Sequence, residues 1–141
     1  MSRVYWDTML FVYWLEDQPQ HADRVHQIWT AMEARGDTLC SSVFTVGEVM
    51  VGPYKRGRLD VASEMREFLQ APHVELIPFT IDTADRYARI RADHRVSAPD
   101  AIHLASAAQA GVELFLTNDH RLQRVVIPGI DFIAAMDVIL F

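Results

Sequence analysis

Short segments rich in β-branched and aromatic residues alternate with longer helical segments along this chain of 141 residues. The segments that fit β-strands are residues 3–6, 38–41, 74–79, 114–117 and 132–140. Strands that alternate with helices favour a parallel sheet joined by right-handed crossovers. We therefore expect an α/β fold with a mostly parallel central sheet, and a single domain over residues 1–141.

Helices are predicted between these strands. The helical segments are residues 9–15, 22–34, 43–51, about 59–69, 81–94 and 100–110, with a short helical turn after Asp119. Glycine and proline residues predict the ends of two of these helices. The third helix is expected to end before Gly52-Pro53, and the sixth is expected to end at Gly111.

Four carboxylates lie beside these predicted elements. Asp7 and Asp119 follow strands, Glu48 lies in an otherwise apolar helix, and Asp100 opens a helix. In open α/β sheets, ligands bind beyond the carboxyl ends of the strands, where the strand order reverses. Carboxylates held close together repel each other unless a cation neutralises them, and oxygen ligands suit Mg²⁺ or Mn²⁺. The pattern therefore indicates a divalent-metal site suited to phosphate chemistry.

Each of these acids also has a purely structural explanation. Asp7 fits an N-cap of the next helix, and Asp119 fits the cap of a turn. Ser97 and Asp100 resemble a capping box opened by a proline. Glu48 is harder to explain in this way, because a carboxylate among apolar neighbours is costly unless it is paired, metal-bound or solvated.

The composition of the chain excludes some classes of function but does not identify one. The net charge is −6, but setting aside the four candidate ligands leaves 15 acidic against 13 basic residues, so a nucleic-acid partner stays open. Cys40 is the only cysteine, which excludes an intrachain disulfide and a thiolate zinc site and favours a cytoplasmic protein. The apolar run at residues 9–15 is shorter than the roughly 20 residues of a membrane span, and no basic segment precedes it. We expect no membrane anchor and no signal peptide.

The joint pattern resembles the PIN-domain ribonucleases, and most closely the small VapC-type toxins of bacterial toxin–antitoxin pairs. The resemblance covers nearly the whole chain. It is carried by Asp7-Thr8 after an apolar strand, by the glutamate helix at residues 45–53, by residues 99–107, and by a strand ending in Thr117-Asn118-Asp119. The segment at residues 99–107, which reads Pro-Asp-Ala-Ile-His-Leu-Ala-Ser-Ala, is the most distinctive of these.

The resemblance implies a PIN-like three-layer sandwich with helices on both faces of the sheet. It also implies that Asp7, Glu48, Asp100 and Asp119 are the catalytic acids and bind Mg²⁺ or Mn²⁺. Thr8 and Thr117 would support the site with their hydroxyl groups. His103 lies one helical turn from Asp100, so it could serve as a ligand or base, although a supporting hydrogen-bonded role is the commoner one.

The function implied is hydrolysis of RNA phosphodiester bonds by a metal-dependent ribonuclease. VapC-type toxins usually form homodimers, and a cognate antitoxin holds them inactive in a heterotetramer or larger complex. Arginines and one lysine near the predicted crevice are candidates for gripping the RNA backbone. They are Lys55, Arg56, Arg58, Arg121 and Arg124.

Two other classes remain open at this stage. A phosphohydrolase of small phosphate esters, similar to the haloacid dehalogenases, would want Asp-x-Asp after the first strand, but Met9 stands two residues after Asp7. A non-catalytic PIN-like scaffold would use its acids only for folding or partner binding. In a scaffold, Asp7→Asn would leave activity and toxicity unchanged, whereas a nuclease would lose both.

Overall fold

A five-stranded sheet forms the centre of the protein in the computed structural model, which describes residues 1–138. The strands are β1 (Arg3–Trp6), β2 (Thr38–Ser42), β3 (Val74–Ile77), β4 (Leu114–Thr117) and β5 (Phe132–Ala135). They lie in the order β3-β2-β1-β4-β5, and every neighbouring pair is parallel. The chain therefore builds the sheet outward from β1 in one direction and then in the other, which places the reversal of strand order between β1 and β4.

Helices cover both faces of this sheet, so the expected PIN-like three-layer α/β fold is confirmed. They are α1 (Thr8–Leu15), α2 (Ala22–Arg35), α3 (Val43–Lys55), α4 (Leu59–Gln70), α5 (Ile81–Asp93) and α6 (Ala98–Ala110), with a 3₁₀ helix at His120–Arg124. Side chains of β1 alternate between the two faces, as a strand requires. Val4 and Trp6 join the core beneath α1 to α4, and Tyr5 joins the core beneath α5 and α6.

The three tryptophans of the chain belong to one aromatic cluster on the α1–α4 face. Trp6 is fully buried, and its ring centroid lies 5.5 Å from that of Trp14 and 6.4 Å from that of Trp29. The rings of Trp14 and Trp29 are 5.6 Å apart, so each tryptophan contacts both of the others.

Besides the end of β3, which lies at Ile77 rather than Phe79, three predicted boundaries were wrong by two or more residues. Helix α3 continues through Pro53 to Lys55, because the proline lies in its last turn and the Arg56 N–H still bonds to the Gly52 carbonyl at 3.1 Å. Helix α6 begins at Ala98 rather than Asp100, since Ser97 is its N-cap and Pro99 fits the first turn.

The third wrong boundary is the C-terminal end of the last strand. Strand β5 ends at Ala135, where the Val138 N–H bonds back to the Ala135 carbonyl at 3.2 Å and closes a turn. The rest of the predicted strand, residues 139–140, lies outside the described residues.

The loop before β5 passes very close to helix α6 at Gly129. This glycine has a φ of +102°, and a Cβ built on it would lie 2.7 Å from the backbone carbonyl oxygen of Ala108. No side chain other than hydrogen fits there, so the close approach of loop to helix depends on the glycine.

Within residues 1–138 no helix combines the length and the apolar character needed to cross a bilayer. That residues 1–141 form a single domain stays a prediction.

Candidate active site

Asp7 and Asp119 lie at the carboxyl ends of the neighbouring strands β1 and β4. The Asp7 N–H donates to the Leu116 carbonyl at 3.0 Å, which ties Asp7 to β4. Thr117 links the two acids: its hydroxyl donates to Oδ2 of Asp7 at 2.5 Å and accepts the backbone N–H of Asp119 at 3.0 Å. The crevice where the strand order reverses therefore lies between β1 and β4, and a single threonine hydroxyl connects its two aspartates.

Asp7 and Asp119 each cap the start of a helix and also lie at the crevice. Asp7 is the N-cap of α1, where its Oδ1 accepts the Met9 N–H at 3.1 Å. Asp119 is the N-cap of the 3₁₀ helix, where its Oδ1 accepts the backbone N–H of Arg121 at 3.0 Å. The structural role of each acid therefore fixes its place at the crevice.

Arg121 also binds the Asp119 carboxylate through its guanidinium group. Nε donates to Oδ1 at 3.0 Å and Nη2 donates to Oδ2 at 2.8 Å, so both carboxylate oxygens are engaged. These hydrogen bonds lower the pKa of Asp119 and keep its carboxylate ionised. The arginine side chain is largely exposed, so this is a surface pair that a competitor can reach.

Asp100 stands in the first turn of α6 beside Asp119. Its backbone N–H donates to the Ser97 hydroxyl at 3.3 Å, which is half of the expected capping box. Asp100, Asp119 and Arg121 line one open cavity of about 170 Å³. The charge of Asp100 also acts on Asp7, as described below.

Glu48 meets a threonine and a histidine on the inner side of the crevice. Nε2 of His103 lies 2.5 Å from Oε1 of Glu48, and the Thr8 hydroxyl donates to the same oxygen. Burial by itself would raise the pKa of Glu48, but the hydrogen bonds from His103 and Thr8 outweigh it and the pKa is lowered. The partner that this carboxylate required is His103, and both supporting residues predicted on this side contact it.

Asp7 has the most perturbed carboxyl group of the four. Burial raises its pKa from 3.8 to about 6, and the negative charge of Asp100 adds to the rise. The Thr117 hydroxyl, His103 and the Met9 N–H act in the opposite direction without cancelling it. The pKa of Asp7 is therefore raised mainly because its carboxyl group is buried.

The oxygen-rich donor set of the crevice fits a hard divalent cation. Four carboxylates and two hydroxyls from Thr8 and Thr117 are the ligand types that Mg²⁺ and Mn²⁺ prefer, and a bound cation would favour the ionised form of Asp7, whose pKa is raised by burial. In the described part of the chain no three His, Cys, Asp or Glu side chains are already arranged around one ion position. Arg121 occupies Asp119 and His103 occupies one oxygen of Glu48 instead.

Two features of the site were missed at the level of sequence. Tyr5, from the middle of β1, places its hydroxyl 2.7 Å from Nδ1 of His103, and the residue is fully buried. A layer of buried hydroxyls from Ser41, Ser42 and Thr45 lies beside it. Ser41 and Ser42, at the end of an apolar strand, could have indicated this layer in the sequence, because buried hydroxyl groups need hydrogen-bond partners.

Three of the five basic residues predicted to grip RNA are paired with acids of this chain. Arg121 binds Asp119, Arg56 binds Glu16 at 3.0 Å, and Arg58 binds Asp60 at 3.1 Å. The prediction that they grip RNA stays a prediction, and in each case a carboxylate would have to yield to a phosphate.

This chain matches the sequence profile of a known protein family. The sequence profile of the PIN domain matches residues 4–128. None of the curated proteins matches the chain at a significant level.

Among solved structures, the protein is similar to VapBC2 from Rickettsia felis bound to a DNA fragment from its promoter, with 19% identity over 94% of this chain and 98% of that chain and a TM-score of 0.75. It is similar to a toxin–antitoxin complex from Klebsiella pneumoniae, with 25% identity over 90% of this chain and 94% of that chain and a TM-score of 0.66. A third similar structure is VapC20 from Mycobacterium tuberculosis, described as a toxin that cleaves the sarcin–ricin loop. Its identity is 15% over 79% of this chain and 86% of that chain, and its TM-score is 0.68.

Proposed function

This chain belongs to the PIN domain family, and from that premise we propose that it is a metal-dependent ribonuclease of the VapC type, a toxin that a cognate antitoxin inhibits. The observation that carries the proposal is the junction of β1 and β4, where the Thr117 hydroxyl links Asp7 to Asp119 and Asp100 shares a cavity with Asp119. A crevice with this much negative charge at a reversal of strand order suits a cation and a phosphate backbone.

Asp7, Glu48, Asp100 and Asp119 would hold the ion. A bound Mg²⁺ or Mn²⁺ supplies activation of a water nucleophile and neutralises charge on the scissile phosphate. Hydrogen bonds orient two of these carboxylates. Thr117 fixes one oxygen of Asp7, and Thr8 with His103 fixes one oxygen of Glu48. Since the pKa values of Glu48 and Asp119 are lowered, both carboxylates are ionised at neutral pH.

RNA cleavage should stop when excess chelator is added and return when Mg²⁺ or Mn²⁺ is restored. Because water is the nucleophile, the products should carry a 5′-phosphate and a 3′-hydroxyl, and the 2′-hydroxyl should take no part. Mapping the 5′ ends of total RNA after incubation with the purified protein measures both. Products ending in a 2′,3′-cyclic phosphate, or full cleavage in chelator, would contradict the mechanism.

Replacing Arg121 by glutamine should strengthen the binding of Mn²⁺ by roughly two- to tenfold. In the metal-free protein the guanidinium group holds both oxygens of Asp119, so an arriving cation has to displace it. Isothermal titration with Mn²⁺ measures the affinity. Arg124→Gln removes the same charge from the same 3₁₀ helix and should change the affinity less. Equal gains in both variants would mean that only net charge matters.

The proposed partners are an RNA substrate, an antitoxin and a second copy of the chain. The Rickettsia structure contains VapBC2, and the Klebsiella structure is a toxin–antitoxin complex. Their similarity to this chain supports the search for an antitoxin. Co-expression with the product of the neighbouring gene, followed by purification and light scattering, tests both the complex and the homodimer.

A further inference from the structure

Four groups form a hydrogen-bonded series that runs from the core into the crevice. The Tyr5 hydroxyl lies 2.7 Å from Nδ1 of His103, and Nε2 of His103 lies 2.5 Å from Oε1 of Glu48. The Thr8 hydroxyl contacts both Nε2, at 3.0 Å, and Oε1. Tyr5 is fully buried and His103 is 4% exposed, so water cannot take the place of either partner in the contact between them.

The imidazole is held in place by aromatic contacts as well. Its ring centroid lies 5.8 Å from that of Tyr5 and 5.4 Å from that of Phe44. Tyr5 in turn stacks on Phe115 at 5.0 Å with an interplanar angle of 7°. The ring therefore has little freedom to turn, and the two nitrogens face fixed partners.

The short contact at Glu48 fixes one hydrogen of this series. A contact of 2.5 Å between Nε2 and an ionised carboxylate oxygen requires a hydrogen on Nε2, because two lone pairs would repel at that distance. Nδ1 of the same ring also needs a hydrogen-bond partner, which donates to a bare nitrogen or accepts from a protonated one. The only polar contact of Nδ1 within residues 1–138 is the Tyr5 hydroxyl. A tyrosine hydroxyl can serve in either role, and the buried hydroxyls of Ser41, Ser42 and Thr45 lie near it.

We propose that Tyr5 and His103 are positioning residues for Glu48: the Tyr5 hydroxyl bonds to Nδ1 and fixes the orientation of the imidazole, and Nε2 holds Oε1 of Glu48 so that Oε2 is left for the divalent cation. The inference rests on the proposed function, because it treats Glu48 as a metal ligand. Neither His103 nor Tyr5 contacts the cation in this arrangement. Both act through the carboxylate, as outer partners of metal ligands commonly do.

The imidazole itself can be tested without any variant. A two-bond ¹H–¹⁵N correlation spectrum of the metal-free protein distinguishes a hydrogen on Nε2, a hydrogen on Nδ1 and a doubly protonated ring. The expected result for His103 is a hydrogen on Nε2. A ring that carries its hydrogen on Nδ1 alone would overturn the proposal.

Tyr5→Phe removes one hydroxyl and retains the ring that stacks on Phe115. We expect it to weaken Mn²⁺ binding by about tenfold, the lower end of the range for outer partners of metal ligands. Tyr87→Phe is the matched control, because it deletes a hydroxyl that accepts only a 3.3 Å contact from Arg91 on the exposed side of α5. Equal Mn²⁺ affinity in the two variants, both folded by circular dichroism, would overturn the proposal.

A double-mutant cycle separates positioning from general packing. His103→Gln retains an N–H donor that can reach Glu48 and needs no hydrogen from Tyr5, so it should keep the Mn²⁺ affinity within about threefold of wild type. In the His103→Gln background, Tyr5→Phe should have no further effect on affinity. An undiminished effect in that background would show that Tyr5 acts on the site by another route.

The readouts keep this inference distinct from the ribonuclease proposal. A wild-type protein that binds Mn²⁺ with the expected His103 form but cleaves no RNA would overturn the function and leave the positioning roles standing. A wild-type protein that cleaves RNA while Tyr5→Phe binds Mn²⁺ as tightly as Tyr87→Phe would do the opposite.

Discussion

Asp7→Asn should abolish RNA cleavage and toxicity while making the metal-free protein more stable at neutral pH. The loss of activity should be about a hundredfold or more, because a charged ligand at the reacting centre is removed. The gain in stability has a separate cause. Burial raises the pKa of Asp7 from 3.8 to about 6, so the folded protein keeps an ionised carboxylate at pH 7 only at a cost.

The pH dependence of this gain follows from the two pKa values. Below pH 3.8 the carboxyl group is neutral in both the folded and the unfolded chain, so the asparagine brings no advantage. As the pH rises towards 6, the unfolded chain ionises and the folded protein resists, and the wild type loses stability relative to the variant. Above pH 6 the difference should level off at about 1–3 kcal/mol, since one pKa unit corresponds to about 1.4 kcal/mol and Asp7 is partly exposed.

Urea unfolding at pH 4 and pH 7 in chelator measures the stability, and cleavage of total RNA with Mg²⁺ measures the activity. Asp60→Asn is a suitable control, because Asp60 is exposed and paired with Arg58, which lowers its pKa. The control should be no more stable than wild type at pH 7 and should cleave normally. An Asp7→Asn protein that folds and still cleaves RNA would show that Asp7 is not a catalytic acid of this protein.

Gly129→Ala should destabilise the protein by about 2–4 kcal/mol, the largest stability effect that we expect from a single methyl group. Its added Cβ would lie 2.7 Å from the carbonyl oxygen of Ala108 and 3.2 Å from two further backbone atoms of that residue. A backbone carbonyl inside α6 cannot move aside without disturbing the helix. The φ of +102° adds strain, because it is unfavourable for any residue with a side chain.

The control for this change is Gly57→Ala. Gly57 also has a positive φ, +68°, but a Cβ there would meet nothing within 4 Å. It should cost about 1–2 kcal/mol from backbone strain alone. Urea unfolding curves of the two variants, compared with wild type, separate the cost of backbone strain from the cost of the steric clash with Ala108. Equal losses would mean that the loop at Gly129 moves away from α6 at no cost.

Much of the fold was predictable because its signals are local. The strand segments, the helix periodicity and the glycine stops are read within a few residues, and the parallel sheet follows from their alternation. The position of Asp7 and Asp119 at one crevice was predictable for the same reason, as both follow strands. The continuation of α3 through Pro53 was not predictable, because the proline is accommodated by bonds in the last turn that a breaker rule ignores.

The fine structure of the site depends on contacts between distant parts of the chain. Tyr5 and His103 are separated by 98 positions, and nothing near either residue indicates that they meet. The pairing of Arg121 with Asp119 is local, yet a basic residue beside an acid in an active site fits substrate binding equally well. Only the orientation of the guanidinium group shows that Arg121 pairs with Asp119 in the metal-free protein.

The grouping of all three tryptophans on one side of the sheet has an optical consequence. Intrinsic fluorescence excited in the indole band reports almost entirely on the half of the protein that contains α1 and α2, together with the helix that carries Glu48. The opposite half, which carries Asp100 and His103, contributes no indole signal. A change in emission on adding metal or a protein partner can therefore be assigned to one side of the molecule before any label is introduced.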